Sequence, residues 1–356
     1  MISIYSGETL EKIGAVLDYT SFVKRSRFYD VGDFELHIPK NSPNQKYLKP
    51  LNIIHHKGFY GIILTVNKSD DVTVTGYDLK GLCTFRMVIP PFVYKEVPTV
   101  TDGYDRISGK GEAVMRHYIT TQLLECEDEK RKIPIELEAD GGRGKDMVWQ
   151  SKFESLDAVM KSVGEFCELG YEIVLGDKKF LYKTLQGSDR TVTQKERPYV
   201  LFGEDTGGFL SPSYTVDYKA SANVCYMAGN GEEEQQKVFK IYEDKENEPF
   251  GIFRAETYGE QASDDINDVY DMGNSVIKEQ KFKENIEGEA QNTSGYKSEW
   301  FLGDYVTLAV DVYGERFFLD KQITEVEEVY ERSNIRVIPT FGEKKNISIR
   351  KLLRRI

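Results

Sequence analysis

The sequence predicts an α+β fold that is mainly β: two antiparallel β units, an α+β unit between them and a helical insert in the second β unit. Three observations carry this. Stretches within residues 1–103 and 296–342 place apolar residues at every second position, the period of a half-buried strand. Residues 104–187, and again 266–286, contain apolar residues three and four apart, the period of a helix. The 22 tyrosines favour strands and interfaces, because tyrosine joins apolar area to a polar tip. A length of 356 residues gives room for two to four domains, each with its own core.

The first β unit reads as a sandwich or barrel. Residues 21–29 form a strand, Asp30-Val31-Gly32 turns, and Phe34, Leu36 and Ile38 alternate with Asp33, Glu35 and His37. Residues 52–56 and 59–67 form a hairpin around Lys57-Gly58, followed by strands at 72–77 and 81–88. Pro90-Pro91, Pro98 and Gly103 mark the exit.

In the α+β unit, Met115, Ile119 and Leu123 predict a helix over 111–127. Leu156, Val159, Met160, Val163, Phe166 and Cys167 predict a second, with Ser155 as N-cap and Gly170 as its stop. A strand is expected at 133–138 and a hairpin over 171–183.

Strands return at 199–202, 210–218, 223–228 and 237–242. Ile266, Val269, Met272, Val276 and Ile277 then mark a helix capped by Asp264 or Asp265 and running to about 286. Residues 287–294 read as a polar linker. In the last segment Gly303-Asp304 turns into a strand at 305–312. Tyr313-Gly314-Glu315 reverses it into 316–319, and strands at 322–330 and 334–341 follow. Four strands without a helix predict a small closed or nearly closed barrel, completed from elsewhere in the chain. The expected domains are 1–103, 104–187, 188–242 with 295–343, an insert at 243–294, and a basic tail at 344–356.

The charge balance, 47 basic against 59 acidic residues, argues against a protein that grips nucleic-acid phosphates. Cys83, Cys126, Cys167 and Cys225 lack CxxC spacing, so free thiols are expected and no metal or disulfide framework. The start, Met1-Ile2-Ser3-Ile4-Tyr5-Ser6, reads as a strand and not as a secretory leader, and no window is long enough for a membrane anchor.

No catalytic constellation emerges. His55 and His56 are adjacent on a strand and point to opposite faces, which prevents joint metal ligation. His37 and His117 stand alone in sequence. Gly141-Gly142-Arg143-Gly144-Lys145-Asp146 lacks the spacing of a phosphate loop and reads as a hairpin turn. The acidic runs Glu232-Glu233-Glu234 and Glu325, Glu327, Glu328 read as solvated surface. At the C-terminus Ile349, Leu352, Leu353 and Ile356 share one helical face, with Arg350, Lys351, Arg354 and Arg355 on the others. That pattern fits a docking helix or a helix closing the protein's own barrel; either needs a surface to pack on.

Several motifs occur in an order that resembles the tail-hub (baseplate hub) family of phages infecting Gram-positive hosts, also found as the N-terminal part of siphophage tail-associated lysins. They are Phe28-Tyr29-Asp30-Val31-Gly32-Asp33-Phe34-Glu35-Leu36 before Ile38-Pro39, Gly187-Ser188-Asp189-Arg190-Thr191, and Asn223 to Gly229 with Gly231. Arg254-Ala255-Glu256, Leu302-Gly303-Asp304 and Phe341-Gly342 follow. After Asn230-Gly231 this chain has glutamates and glutamines where the family pattern has Gly and Arg.

The resemblance implies two tail-tube-like antiparallel β-barrels per chain and a homotrimeric ring of pseudo-sixfold symmetry. Such a ring would join a tail tube or distal tail protein to a threefold spike, fibre or tail lysin, with the tape measure protein as a further partner. DNA would pass through without specific binding. It further implies a non-enzymatic virion protein without cofactors, assembled in the bacterial host cytoplasm, with Gly32, Phe34, Asp189, Arg190, Asn223, Gly229, Gly303, Asp304 and Gly342 in structural roles. Two other readings remain open: a wall-degrading tail-associated lysin, and a carbohydrate-binding adhesin to which the tyrosines would contribute.

Overall fold

The alternating stretches at the two ends of the chain fold into strands of one sheet. A computed structural model describes residues 1–96, 103–203, 209–231, 236–244, 246–261, 266–290, 295–312, 315–331 and 334–343. The chain divides into two compact units, Met1–Pro212 with Glu287–Ile356, and Ser213–Ile286.

The first unit begins with β1 (Ile2–Tyr5), β2 (Lys12–Val16), β3 (Ser21–Arg27), β4 (Asp33–Pro39), β5 (Ile53–His56), β6 (Phe59–Lys68) and β7 (Asp71–Asp78). They hydrogen-bond in the order β3-β4-β7-β6-β5-β1-β2, every neighbour antiparallel. Alternation sends Phe22, Phe34, Leu36, Ile38, Val72 and Val74 into one core. The expected strand at 81–88 is instead a 3-10 helix, Leu79–Phe85. Its apolar residues Leu79 and Cys83 lie four apart and are both buried, and the Asp78 carboxylate accepts from Lys80 N at its start.

The α+β part follows with β8 (Asp105–Lys110), α1 (Gly111–Ile119), β9 (Ile135–Leu137), β10 (Asp146–Ser151), α2 (Leu156–Cys167), β11 (Gly170–Leu175) and β12 (Phe180–Leu185). β8 pairs with β10, and β12 lies between β11 and β9. α1 continues as a wider π turn over Thr120–Leu124, so the predicted helix extends almost as expected. Three local expectations change. α2 stops at Glu168, which adopts φ 61°, while Gly170 already begins β11. Ser155 holds the N-cap position, but its hydroxyl bonds to Asp157 and no backbone N–H is capped. Residues 141–146 are no hairpin turn, because β9 and β10 belong to different sheets.

Next come β13 (Asp189–Arg190), β14 (Leu201–Gly203) and β15 (Phe209–Asp217). The second unit holds β16 (Val224–Ala228), β17 (Val238–Tyr242), β18 (Glu256–Glu260) and α3 (Ile266–Glu279). β16 is central, antiparallel to β17 and parallel to β18, so two of the strands expected in the C-terminal barrel, 223–228 and 237–242, lie instead in a separate sheet, while β14 and β15 pair in the large one. Val269 and Ile277 of α3 are buried against Cys225, Met227 and Ile241, whereas Met272, expected on that face, is 43% exposed. α3 ends earlier than predicted, and its expected caps Asp264 and Asp265 lie outside the described residues.

Residues 287–290 of the expected linker belong to a strand, β19 (Lys283–Ala290), and residues 291–294 lie outside the described residues. β20 (Tyr305–Val312), β21 (Glu315–Glu331) and β22 (Asn334–Glu343) complete the chain. β21 is one strand of 17 residues where two were predicted; Leu319-Asp320-Lys321-Gln322 offers no Gly or Pro to break it. Tyr313 and Gly314, the expected turn, lie outside the described residues. β20 buries both faces, Val306 through Val310, and not the single face expected. Two separate barrels were expected; among the described residues the pairing forms one open path, β15-β19-β22-β21-β3-β4-β7-β6-β5-β1-β2, with β20 branching from β21.

Candidate functional site: a strand handover and a charged sheet face

β21 joins the two β groups. One edge carries β22 along residues 321–331. The other edge is shared, with β20 along 315–322 and β3 along 325–331. A register shift at Ile323/Glu325 marks the handover, an irregularity that bends and twists a strand. There Ile323 exchanges backbone bonds with Gly303 and Asp304 (2.8 Å each), and Phe28 N donates to Thr324 O (2.9 Å).

Most of the motif residues meet at this point. Gly303 has φ 95°, and a Cβ there would lie 2.2 Å from the Phe28 ring. A Cβ on Gly187 would lie 1.7 Å from Gly303 O, so two bare backbones approach each other. Asp304, 3% exposed, accepts from Ser188 N (2.8 Å), Phe301 N (3.0 Å) and Arg190 Nε (2.9 Å). Asp189 turns to Thr191, accepting from its N (3.0 Å) and Oγ1 (2.8 Å). Gln322 accepts from Tyr29 OH (2.6 Å) and donates to Gly303 O (3.0 Å), and across the ladder it faces Gly342. Gly32 packs beside Arg25 O, and Phe34 lies in the N-terminal core. Asn223 and Gly229 belong to the second unit, where the Asn223 amide bonds Phe253 O (2.7 Å) and Ala255 N (2.9 Å). The C-terminal candidates Ile349, Arg350, Leu352, Leu353, Arg354, Arg355 and Ile356 lie outside the described residues.

The strand period gives the continuous sheet two unlike faces on β21, β3, β4 and β7. The outward face carries Glu325, Glu327 and Glu331 of β21, Arg25 and Arg27 of β3, Asp33, Glu35 and His37 of β4, and Asp71 and Thr73 of β7. Arg25 pairs with Asp33 (2.8 Å) and Glu327 (2.6 Å), and Arg27 with Asp33 (2.7 Å) and Glu325 (2.5 Å). His37, alone in sequence, sits between Glu35 (2.7 Å) and Asp71 (3.2 Å); these bonds raise its pKa, Glu35 contributing most and burial opposing. Six carboxylates against the two arginines leave this face acidic.

The inward face carries a cluster that the sequence reading missed. Glu328, expected in solvent, is 4% exposed and pairs with the fully buried Lys24 (3.0 Å) and with Lys297 (3.0 Å). Burial pulls the Lys24 ammonium down to about 8 against the pull of Glu328. Burial likewise pushes His56 down to about 3, aided by Lys24, so this imidazole is neutral near pH 7. The signal was present: Lys24 keeps the phase of Phe22, and Glu328 that of Val326 and Tyr330.

Elsewhere His117 bonds the buried Asp105 (2.6 Å), whose other oxygen accepts from Gln122 Nε2 (3.2 Å). Arg143, in the glycine loop, grips Glu112 through its backbone N (2.9 Å), Nε (3.0 Å) and Nη2 (2.7 Å). Burial opposes ionisation of Glu112, but these bonds hold it at about 2. The loop is thus fastened to the first turn of α1. The four cysteines are buried and form no disulfide, and burial pushes the Cys83 thiol up to about 12, far from a nucleophile's range. Among the described residues no group of three or more His, Cys, Asp or Glu could hold a metal, and no helix is long and apolar enough to cross a membrane.

The fold is shared with solved phage tail proteins. The chain is similar to the prophage tail protein gp18 of Listeria monocytogenes (12% identity, TM-score 0.53, 99% of this chain and 97% of that one). It is also similar to the tail protein of Neisseria meningitidis (11%, TM-score 0.56, 96% of each chain). A third is the prophage MuSo2 43 kDa tail protein of Shewanella oneidensis (9%, TM-score 0.56, 96% and 98%). No curated protein matches the sequence. The family described as Siphovirus ReqiPepy6 Gp37-like protein matches residues 1–343, and to this family the chain belongs.

Proposed function

We propose that the chain is a structural hub of a phage tail, placed at the baseplate or tail tip and without catalytic activity. Three copies form a ring in which each supplies two tube-like β modules, so that six similar modules meet a sixfold tail tube or distal tail protein. The threefold arrangement of whole chains faces a spike, fibre or tail lysin. One observation carries this reading: β21 belongs to both β groups, which makes two modules one continuous sheet with a fixed relation between them. The acidic outward face of that sheet is our candidate lining of the channel. Fixed carboxylates there repel the phosphates of passing DNA, so it moves without being held. The tape measure protein is the expected neighbour within the bore.

Native mass spectrometry with electron microscopy of the purified full chain tests this. A trimer with a central hole is expected at micromolar concentration or when the tail-tube partner is added; a monomer under both conditions overturns it. A peptidoglycan zymogram tests the absence of activity, since clearing by the purified chain would replace the structural reading by that of a lysin.

A further inference from the structure

Between β17 and β18 the second unit carries an exposed apolar tip. Pro249-Phe250-Gly251-Ile252-Phe253 has no charged or polar side chain, and Gly251–Phe253 forms a single 3-10 turn. Phe250 is 76% exposed, Ile252 94% and Phe253 55%. A side chain that keeps nearly all of its surface has no neighbour on any side, so Ile252 stands on a projection. Polar groups hold the base of that projection. Arg254 pairs with Glu248 (2.7 Å) and Glu256 (2.5 Å) and donates to the Tyr226 hydroxyl (2.8 Å), while Lys240 reaches Glu248 (3.3 Å). Two cations against two carboxylates leave this base without net charge.

Three features bear on what covers the tip. Its three apolar side chains expose roughly 400 Å², taking about 200 Å² for each when fully open. One side of a standard protein interface buries about 800 Å², so the tip alone is too small to hold a second copy or another protein stably. The backbone carbonyls are already paired within the chain. Those of Phe250 and Gly251 accept from Phe253 N and Arg254 N (3.1 Å each), that of Pro249 from Arg254 Nη1 (3.3 Å) and that of Phe253 from Asn223 Nδ2 (2.7 Å). A hydrocarbon phase offers no hydrogen bonds, so a segment that enters it must satisfy its backbone from within. At the base, Tyr226 and Tyr258 are cross-strand neighbours, and tyrosine collects at the boundary between membrane and water.

We infer that this tip is a membrane-contact loop. Phe250, Ile252 and Phe253 enter the outer layer of a phospholipid bilayer, and Arg254 and the tyrosines stay at its surface, so the loop rests on the membrane without spanning it. With a net charge of −12 the chain gains nothing from anionic headgroups, and apolar burial is the driving force. The tip lies within the second unit, so the inference goes beyond the hub reading and a failure of ring assembly leaves its test intact.

The test is co-sedimentation of the full chain with phosphatidylcholine vesicles, and with vesicles that also contain phosphatidylglycerol. Reversible binding comparable to that of a single acyl chain is expected, about 10⁴ M⁻¹, and no tighter with phosphatidylglycerol present. Phe250→Ser and Ile252→Ser should each weaken it about tenfold. Val148→Ser, at an apolar side chain of the first unit as exposed as Phe250, should leave binding unchanged. All three variants should keep the melting temperature, because none of these side chains is packed. In Ile252→Trp the new indole should be quenched by lipids brominated on their acyl chains, over and above Trp149 and Trp300 of the unsubstituted chain. No binding to either vesicle, tighter binding with phosphatidylglycerol, or an equal loss in Val148→Ser would each overturn the assignment. So would self-association that Ile252→Ser abolishes without vesicles present, which would give the tip to a second copy.

Discussion

Glu327 and Glu328 are neighbours on one strand, each paired with a cation of β3, and they live in different chemistry. Glu327 points outward to Arg25 at 2.6 Å, both side chains partly in water. Glu328 points inward to Lys24 at 3.0 Å, where Lys24 has no exposed surface. The shorter contact is the weaker contributor. Solvent screens the outer pair, and pairs of that kind contribute about 0.2–1 kcal/mol. The inner pair has lost its water, so removing one member leaves the other buried and uncompensated. Burial, more than separation, sets what an ion pair does for this fold.

The largest expected effect is at another buried carboxylate, Asp304. Asp304→Ala leaves Arg190 and two backbone N–H groups unpaired at the handover and should cost about 3–5 kcal/mol in denaturant unfolding. A loss under about 1 kcal/mol would show that the handover does not depend on this carboxylate. Glu328→Gln comes next, about 3 kcal/mol, the lower end of the same range because Lys24 can shed its proton. Gly303→Ala forces a methyl into the Phe28 ring at positive φ, and about 1–3 kcal/mol is expected.

Between pH 8 and 9.5 the effect is smaller and its sign is informative. Lys24 titrates near 8 when folded and at the ordinary lysine value when unfolded, so over this window the unfolded chain holds a proton that the folded one has released. Stability contributed by this group therefore rises with pH there, below the range in which tyrosines of the unfolded chain ionise. The urea midpoint of Lys24→Met should lack the rise; a parallel rise in the variant would assign it to another group. The smallest effect belongs to Glu327→Gln, under about 1 kcal/mol and reduced further by salt. If it matched Glu328→Gln, the contrast between the two faces would fail.

Much of the local structure was legible in the sequence. Alternation located β4, β6 and β7, and the stripe from Leu156 to Cys167 located α2. The motif residues Asp189, Arg190, Gly303 and Asp304 were in view, but nothing in the spacing of 114 residues said that Arg190 would reach Asp304. Partners of that kind are found by strand pairing, which sequence separation does not encode. The breadth of β21 was missed because the register shift at Ile323/Glu325 moves the buried positions from Leu319, Lys321 and Ile323 to Val326, Glu328 and Tyr330, which breaks the two-residue period that marks a single strand. His117 likewise read as solitary until the fold brought Asp105 to it.

The sequence by itself determined where many of the strands and helices lie, the apolar face of elements such as β4, β7 and α2, and the family motifs, because propensity and periodicity act over a few residues. Tertiary structure alone decided that the two ends of the chain share one sheet, that 223–242 belongs to a separate unit, and that Glu328 and not Glu327 is buried among lysines. Those outcomes depend on which backbone edge meets which, and edges carry the same N–H and C=O groups whatever the side chains.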